Sequence, residues 1–458
     1  MNRYLLGIFF VSITACNLEQ KSTATIFAGE IVNPTSETVI LYKDDIAIDS
    51  AYLDMHNRFT FTIDKIDEGL YNFHHAPQYQ YVYLSEGDSL LLRLNTMYFD
   101  ESLVFTGKGE EINNFLIEVF LNSEEEDKII ESFYSLTPEK FSEKIDSLKQ
   151  LKVSLLNEVK IDTDLSEASV AMANATINYT TYINNEKYPF KNAENKITNT
   201  ISQNFYNYRK ELDFDDKELT YFTPYYDFMK RYIDNLAFTN CASDCDTENK
   251  IIKNHLHFNQ HKLVLIDSIV KEKKLRDNLF RNVALTYFLK VHDNVENNKQ
   301  FLEDFHKLSE NNKHIEEIHK LYESVLKMQP NHELPDVKVL DSIGKVISIK
   351  DIALENKNVI FYFWTNKNNR HFKNITNQAN KLALQYPDMK FIAISLTSDH
   401  ENWQNIIKET NQPFKNEYRA ANIDSLKNIL IIDGLNKAIV VKEGVIVDAY
   451  RDMYTLFR

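Results

Sequence analysis

The stretch Val359-Ile360-Phe361-Tyr362-Phe363-Trp364-Thr365-Asn366-Lys367-Asn368-Asn369-Arg370-His371 decides how this chain is read. Its first five residues are wholly apolar, which suits a short central strand covered on both faces. Beyond the turn, Phe372, Ile375, Ala379, Leu382 and Tyr386 recur at helical spacing. The sequence therefore predicts a strand, a tight turn and a helix N-terminus. The positive end of a helix dipole lowers the pKa of a thiol placed there, so this is a setting in which a reactive thiolate can exist at neutral pH. The residues at that place are Asn368-Asn369-Arg370-His371, without a cysteine.

Working outward, Gln329-Pro330-Asn331-His332-Glu333-Leu334-Pro335 reads as a linker. Leu334-Pro335-Asp336-Val337 and the run Ser342 to Lys350 stand between this linker and the apolar strand. A second apolar strand, Phe391-Ile392-Ala393-Ile394-Ser395-Leu396, follows the helix, and Trp403 lies in the next helix. Ala438-Ile439-Val440-Val441 and Val445-Ile446-Val447, around Gly444, read as a terminal β-hairpin.

In order and spacing, residues 334–450 resemble the TlpA-like branch of thioredoxin-fold proteins. The resemblance implies an α/β thioredoxin-like C-terminal domain. Active relatives place an aromatic-Trp pair before a nucleophilic cysteine, two residues and a resolving cysteine. With Phe363-Trp364 set on that pair, Asn368 takes the nucleophile position and His371 the resolving position. A cis-proline facing the two cysteines is also implied, just before the strand 438–441. The chain reads Gly434-Leu435-Asn436-Lys437-Ala438 there. Asn436 holds the cis-proline position, and a trans peptide is expected, because a non-proline cis bond costs about 2.5–4 kcal/mol. Neither Asn nor His forms a mixed disulfide, so the resemblance is to a pseudo-oxidoreductase. Asn368 suits a helix N-cap, with a substrate-orienting amide as the alternative. His371 could serve as an acid/base group, but no partnered nucleophile stands near it in sequence.

The remaining chain is long enough for further domains. At 458 residues, two to three domains are expected. Hydrophobic residues make up 43% and charged residues 26%, which is the balance of a soluble globular protein. Only 9 glycines are present, and neither a P-loop nor a dinucleotide fingerprint is found. A formal net charge of -15 without a basic stripe argues against a nucleic-acid partner.

Met1-Asn2-Arg3 followed by the mostly apolar run Tyr4 to Thr14 reads as a signal segment, too short to span a bilayer. Ile13-Thr14-Ala15-Cys16 resembles a bacterial lipobox, which implies lipidation of Cys16 as the mature N-terminus. The expected order is a signal peptide at 1–15, a tether at 16–24, an all-β sandwich-like domain at 25–110, an all-α domain at 111–328 and the thioredoxin-like domain at 329–458. In the β region, Thr38 to Tyr42, Arg58 to Ile63 and Gln80 to Leu84 alternate between turn signals, which suggests a small antiparallel sandwich. Phe27-Ala28-Gly29-Glu30-Ile31, Gly87-Asp88-Ser89, Phe105-Thr106-Gly107-Lys108-Gly109 and Asn113-Asn114-Phe115-Leu116 resemble the N-terminal domain of unknown function of thioredoxin-like envelope lipoproteins. Thr137-Pro138 opens one helix, with Phe141, Ile145, Leu148, Leu151 and Leu155 as its apolar face. Thr223-Pro224 opens another.

Apart from Cys16, only Cys241 and Cys245 carry thiols. In an oxidising compartment the pair reads as a disulfide stapling a short loop; a redox-active pair is the alternative, at a spacing other than Cys-x-x-Cys. His257 and His261 share a helix face that could hold a metal, although Asn254 and Gln260 suggest a wet surface with incidental clustering. No metal or other cofactor is expected. The sequence thus points to a lipid-anchored, periplasm-facing or outer-membrane envelope protein. It would bind an envelope protein or peptide through a redox-inactive domain. The alternatives are an oxidoreductase acting through Cys241 and Cys245, and capture of glycans or peptides by the aromatic-rich helical region.

Overall fold

Most strands near the N-terminus carry apolar residues on a face that meets a second sheet. In the computed structural model, which describes residues 24–194, 201–241, 247–248, 251–365, 369–397, 399–409 and 416–457, these strands are β1 Thr25–Val32, β2 Thr38–Lys43, β3 Ile46–Tyr52, β4 Arg58–Ile63, β5 Gly69–His75, β6 Gln78–Leu84, β7 Ser89–Asn95 and β8 Val104–Lys108. They form two four-stranded sheets, ordered β4-β1-β7-β8 and β3-β2-β5-β6. Phe27, Phe59, Phe61, Leu90 and Phe105 of one sheet and Val39, Leu41, Phe73 and Val82 of the other belong to one buried cluster. The sandwich is not purely antiparallel as expected: β1 runs parallel to β7, with Ile26 opposite Ser89 and Val32 opposite Asn95. A parallel pair needs a long crossover, and the intervening strands supply it. The signal segment and Cys16 lie outside the described residues.

Helices follow: α1 Glu110–Phe133, α2 Pro138–Asp162, α3 Glu167–Glu194 and α4 Thr223–Asn240. The first of these closes the sandwich through two consecutive asparagines. Asn113 accepts from Tyr83 N–H at 2.7 Å and donates to Tyr83 C=O at 2.8 Å, on the edge strand β6. Asn114 makes the same pair of bonds to Phe105, at 3.0 and 2.9 Å, on the edge strand β8. Side-chain amides thus stand where a further strand would pair, so that neither edge is open at these residues.

Helix α2 starts at Thr137-Pro138 as read, but its buried face drifts. Phe141 and Ile145 are buried, whereas Leu151 is 67% exposed and Lys152 and Leu156 are buried instead. Three turns of 3.6 residues from Phe141 fall closer to 152 than to 151, and one further turn from Lys152 falls closer to 156 than to 155. The Lys152 ammonium meets Glu126 at 2.6 Å, which compensates its burial.

The later elements are a short hairpin, β9 Thr247–Glu248 and β10 Ile251–Ile252, then α5 His255–Ile269, α6 Lys273–Thr286, α7 Val295–Leu308 and α8 Ile315–Lys327. They precede β11 Lys338–Leu340, β12 Val346–Ser348, α9 Ile349–Glu355, β13 Asn358–Trp364, α10 Asn369–Gln385, β14 Lys390–Ser395, α11 His400–Glu409, β15 Glu417–Ala420, α12 Ile423–Ile429, β16 Lys437–Lys442 and β17 Val445–Asp452. A seven-stranded sheet takes the order β12-β11-β15-β14-β13-β16-β17. Strand β13 sits inside it, parallel to β14 and antiparallel to β16, and every residue from Val359 to Trp364 is buried. This is the thioredoxin-like α/β domain the sequence predicted. The chain clusters into two compact units, Met1–Leu212 with Glu218–Met229 and Asp213–Lys217 with Lys230–Arg458. By this division α1 to α3 fall in the first unit with the β sandwich, and α5 to α8 in the second with the thioredoxin-like sheet. No helix among the described residues is long and apolar enough to cross a membrane.

The asparagine clasp has a measurable consequence. Asn113→Ala strands the buried Tyr83 N–H and C=O and should cost about 2–4 kcal/mol in urea unfolding. Asn114→Ala, at a half-buried position, should cost about 1–2 kcal/mol. Equal losses below 0.5 kcal/mol would mean that water replaces both amides without cost.

Candidate functional site

Strands β13 and β14 end side by side, held by the Leu396 N–H donating to the Trp364 carbonyl at 2.7 Å. In open α/β sheets the carboxyl ends of parallel strands form the crevice where ligands bind. Here that end is formed by Trp364, the first turn of α10 and the residues leading into β16. His371 stands in that first turn. Asn436 stands immediately before β16, two residues outside the ladder pair Tyr362–Ala438. The imidazole Nε2–H donates to Asn436 Oδ1 at 3.1 Å. The positions assigned from sequence to the resolving cysteine and the cis-proline therefore face each other, joined by an exposed hydrogen bond. The peptides on both sides of Asn436 are trans; the cis bond found among the described residues is Ala76-Pro77. Asn368 lies outside the described residues.

Beneath these groups is a buried acid that sequence reasoning missed. Trp364 Nε1–H donates to Glu417 Oε2 at 3.3 Å, while the Trp364 ring packs on Phe372 of α10 with centroids 4.2 Å apart. Glu417 is 2% exposed at the start of β15. Burial pushes its carboxyl up to about 8, against a smaller opposing pull from the Trp364 hydrogen bond. It therefore holds its proton at neutral pH. Burial, reinforced by the nearby Glu417 carboxyl, also drives Tyr362 well above the usual phenol range. In sequence, Asn416-Glu417-Tyr418-Arg419 has the polarity of a surface turn; only the burial of this short strand distinguishes Glu417.

Lys437, directly after Asn436, is the second unforeseen group. Its side chain is buried, and Nζ donates to the Ile431 carbonyl at 2.6 Å. Ile431 has φ of 51°, a left-handed conformation that strains a β-branched residue. The ammonium also stands 4.6 Å from the centroid of the Tyr450 ring, against whose ring His292 stacks at 4.1 Å. Burial lowers Lys437 to about 7 despite the attraction of Asp433 and Asp448. His292 falls to about 4 through burial and the neighbouring Lys437 charge. These contacts fix the backbone leading to Asn436, so the side chain bonded to His371 is presented from an anchored strand start.

The other residues marked from sequence fall elsewhere. Cys241 is disulfide-bonded and 1% exposed; Cys245 lies outside the described residues. His257 and His261 lie beside Cys241, a grouping that sequence reasoning kept apart. Most aromatic residues of the helices are core, as in the Phe141, Tyr188 and Phe205 cluster. Tyr179 is different. With Tyr79, Tyr81, Phe120 and Phe222 it lines a cavity of about 500 Å³ in the first unit, whose wall also carries Asp100, Glu124, Asp127, Asp227 and Lys187.

Comparison with known proteins points the same way as the sheet order. Residues 356–446 match a family described as thioredoxin-like. Among solved structures, the thioredoxin domain of a thiol-disulfide oxidoreductase from Bacteroides vulgatus is 22% identical, covering 28% of this chain and 93% of that one with a TM-score of 0.24. A thiol:disulfide interchange protein from Bacteroides sp. is 23% identical over 27% of this chain and 81% of its own, with a TM-score of 0.23. A domain of a possible thiol-disulfide isomerase from Cytophaga hutchinsonii is 18% identical over 28% and 88%, with a TM-score of 0.25. No curated protein matches the chain. Residues 356–446 are thus thioredoxin-like, with His371 and Asn436 at two positions where the sequence resemblance places a cysteine and a proline.

The buried carboxyl gives a pH test. Because Glu417 titrates higher in the folded chain than the ordinary 4.5, the folded state keeps a proton that the unfolded state releases. Its contribution is fully present below pH 4.5 and is lost as pH rises through 8. Glu417→Gln keeps an acceptor for Trp364 and removes that loss. It should unfold like the native chain near pH 4.5 and be more stable by about 1–3 kcal/mol at pH 8, measured by urea titration. A variant equally or less stable at pH 8 contradicts the buried, protonated state.

Proposed function

We propose that this protein is an envelope lipoprotein whose thioredoxin-like domain binds an extended polypeptide without redox chemistry. One observation carries the reading: His371 and Asn436 are hydrogen-bonded across the mouth where a thiol and a proline would serve exchange. Thiol-disulfide exchange needs a thiolate attacking a disulfide sulfur, and the sequence has no cysteine after Cys245. What such a crevice retains is shape and hydrogen-bonding capacity. The exposed Asn436 amide and the His371 ring supply donors and acceptors suited to a peptide backbone.

The alternative of catalysis through Cys241 and Cys245 asks for an accessible thiolate. A Cys241 that is 1% exposed and disulfide-bonded does not favour it. The alternative of ligand capture in the helical region gains from the tyrosine-lined cavity. Four carboxylates against one ammonium in its wall favour a basic peptide over a neutral glycan.

One binding experiment separates these sites. The full chain should bind an S-alkylated, unfolded polypeptide, a probe that cannot form a mixed disulfide. Asn436→Trp and His371→Trp, which block the crevice, should each weaken binding at least about tenfold, or 1.4 kcal/mol. Loss of binding in Tyr179→Ala with both crevice variants unaffected would move the site to the cavity in the first unit. The lipid anchor is tested separately. In a Gram-negative host, the native chain should incorporate labelled palmitate into the membrane fraction, and Cys16→Ser should not. Equal labelling of both would remove the lipobox reading.

A further inference from the structure

The corner between the end of α4 and the start of α5 holds three metal-binding side chains. The ligand-capable atoms of Cys241, His257 and His261 all lie within 4.8 Å of one another. His257 and His261 are one helical turn apart on α5, with ring centroids 4.7 Å apart. Cys241 ends α4, and the hairpin β9–β10 separates it from the helix that bears the histidines. In sequence the pattern is Cys241-x3-Cys245-x11-His257-x3-His261. A cysteine pair, a short hairpin and two histidines on the following helix, at this spacing, is an arrangement that binds a tetrahedral zinc ion. Cys245 lies outside the described residues, and the site described is that of the other three.

Two further observations point to a ligand. His257 Nε2 is buried and has no hydrogen-bond partner among the described residues; a buried ring nitrogen without a partner is costly unless something fills its valence. Among the described residues the local core is also small. Ala237, Cys241 and Phe258 are its buried members, with Phe238, Ile252 and Leu265 packed at the side. A corner with so little apolar burial needs a cross-link, either a disulfide or a metal.

We propose that Cys241, His257 and His261 form a structural site for Zn²⁺, in redox exchange with the disulfide at Cys241. The site and the disulfide compete for one sulfur. A dithiol reductant gives two electrons and two protons to the Cys241 disulfide and is itself oxidised to a disulfide. Cys241 then loses its thiol proton to solvent as it bonds Zn²⁺, while the two histidines bind as neutral imidazoles. Tetrahedral bonds of about 2.0–2.3 Å put ligand atoms about 3.5 Å apart. Closure from the observed separations therefore asks for about 1 Å of movement. The chain's net charge of -15 and the absence of a basic stripe make this a structural device rather than a nucleic-acid reader.

The test uses the full chain, reduced with a phosphine and equilibrated with Zn²⁺, then with Co²⁺ as a spectroscopic substitute. The reduced chain should bind one zinc, and Co²⁺ should give thiolate-to-metal charge-transfer absorption with intense tetrahedral visible bands. The oxidised chain should bind none until it is reduced. His257→Ala and His261→Ala should each weaken binding at least about 100-fold, while His261→Cys, which exchanges one zinc ligand for another, should retain it. Circular dichroism of the alanine variants reports whether they are folded. A reduced native chain that binds no stoichiometric zinc, or binding that survives either alanine substitution, overturns the site. In that case the corner is a disulfide staple only.

Discussion

Two-sided burial of β13 is the constraint from which the C-terminal domain follows. Six consecutive residues, Val359 to Trp364, are removed from water. Every backbone N–H and C=O among them must therefore pair inside the protein, and a strand with neighbours on both sides meets that demand. The parallel β14 and the antiparallel β16 take those places. Once they do, the start of α10 and the segment entering β16 both lie at the carboxyl end of β13. The meeting of His371 and Asn436 is thus a product of the sheet before it is a property of either side chain.

The polar groups around that meeting point each have a distinct part. An exposed hydrogen bond such as that from His371 to Asn436 contributes about 1 kcal/mol or less to stability. Its importance is positional: it sets two side chains at the mouth of the crevice. The buried groups below contribute differently. Glu417 is held neutral by burial and donates or accepts without a net charge, next to Trp364. Lys437 holds the strained Ile431 turn by its backbone carbonyl. A proline would fix this stretch through its ring; here a lysine side chain anchors the backbone from within.

How much of this could be read in the sequence depended on the range of the forces involved. The strand read at 359–363 is found at Asn358–Trp364, because a short apolar run states its own burial. Helix starts at Thr137-Pro138 and Thr223-Pro224 were equally local. Features set by tertiary pairing were not legible. The parallel register of β1 and β7 joins segments about 60 residues apart, with no composition to mark it. Leu151 looked like core, and Lys152, which has a partner in Glu126, took the buried position instead. Glu417 and Lys437 gave no signal, since polarity alone assigns them to the surface. The Cys241, His257 and His261 corner was readable in principle. Its spacing spans a hairpin, and reading the cysteines and the histidines as separate groups concealed it.

The central claim is that this chain, its thioredoxin-like domain included, catalyses no thiol-disulfide exchange. Its most direct test is reduction of insulin by a dithiol, followed as precipitation of the B chain, with and without the full chain. The account predicts a rate equal to that of the dithiol alone, unchanged in the doubly substituted Cys241→Ser, Cys245→Ser chain. A catalysed rate that disappears with those two substitutions would contradict it, and would assign the chemistry to the one cysteine pair outside the thioredoxin-like domain.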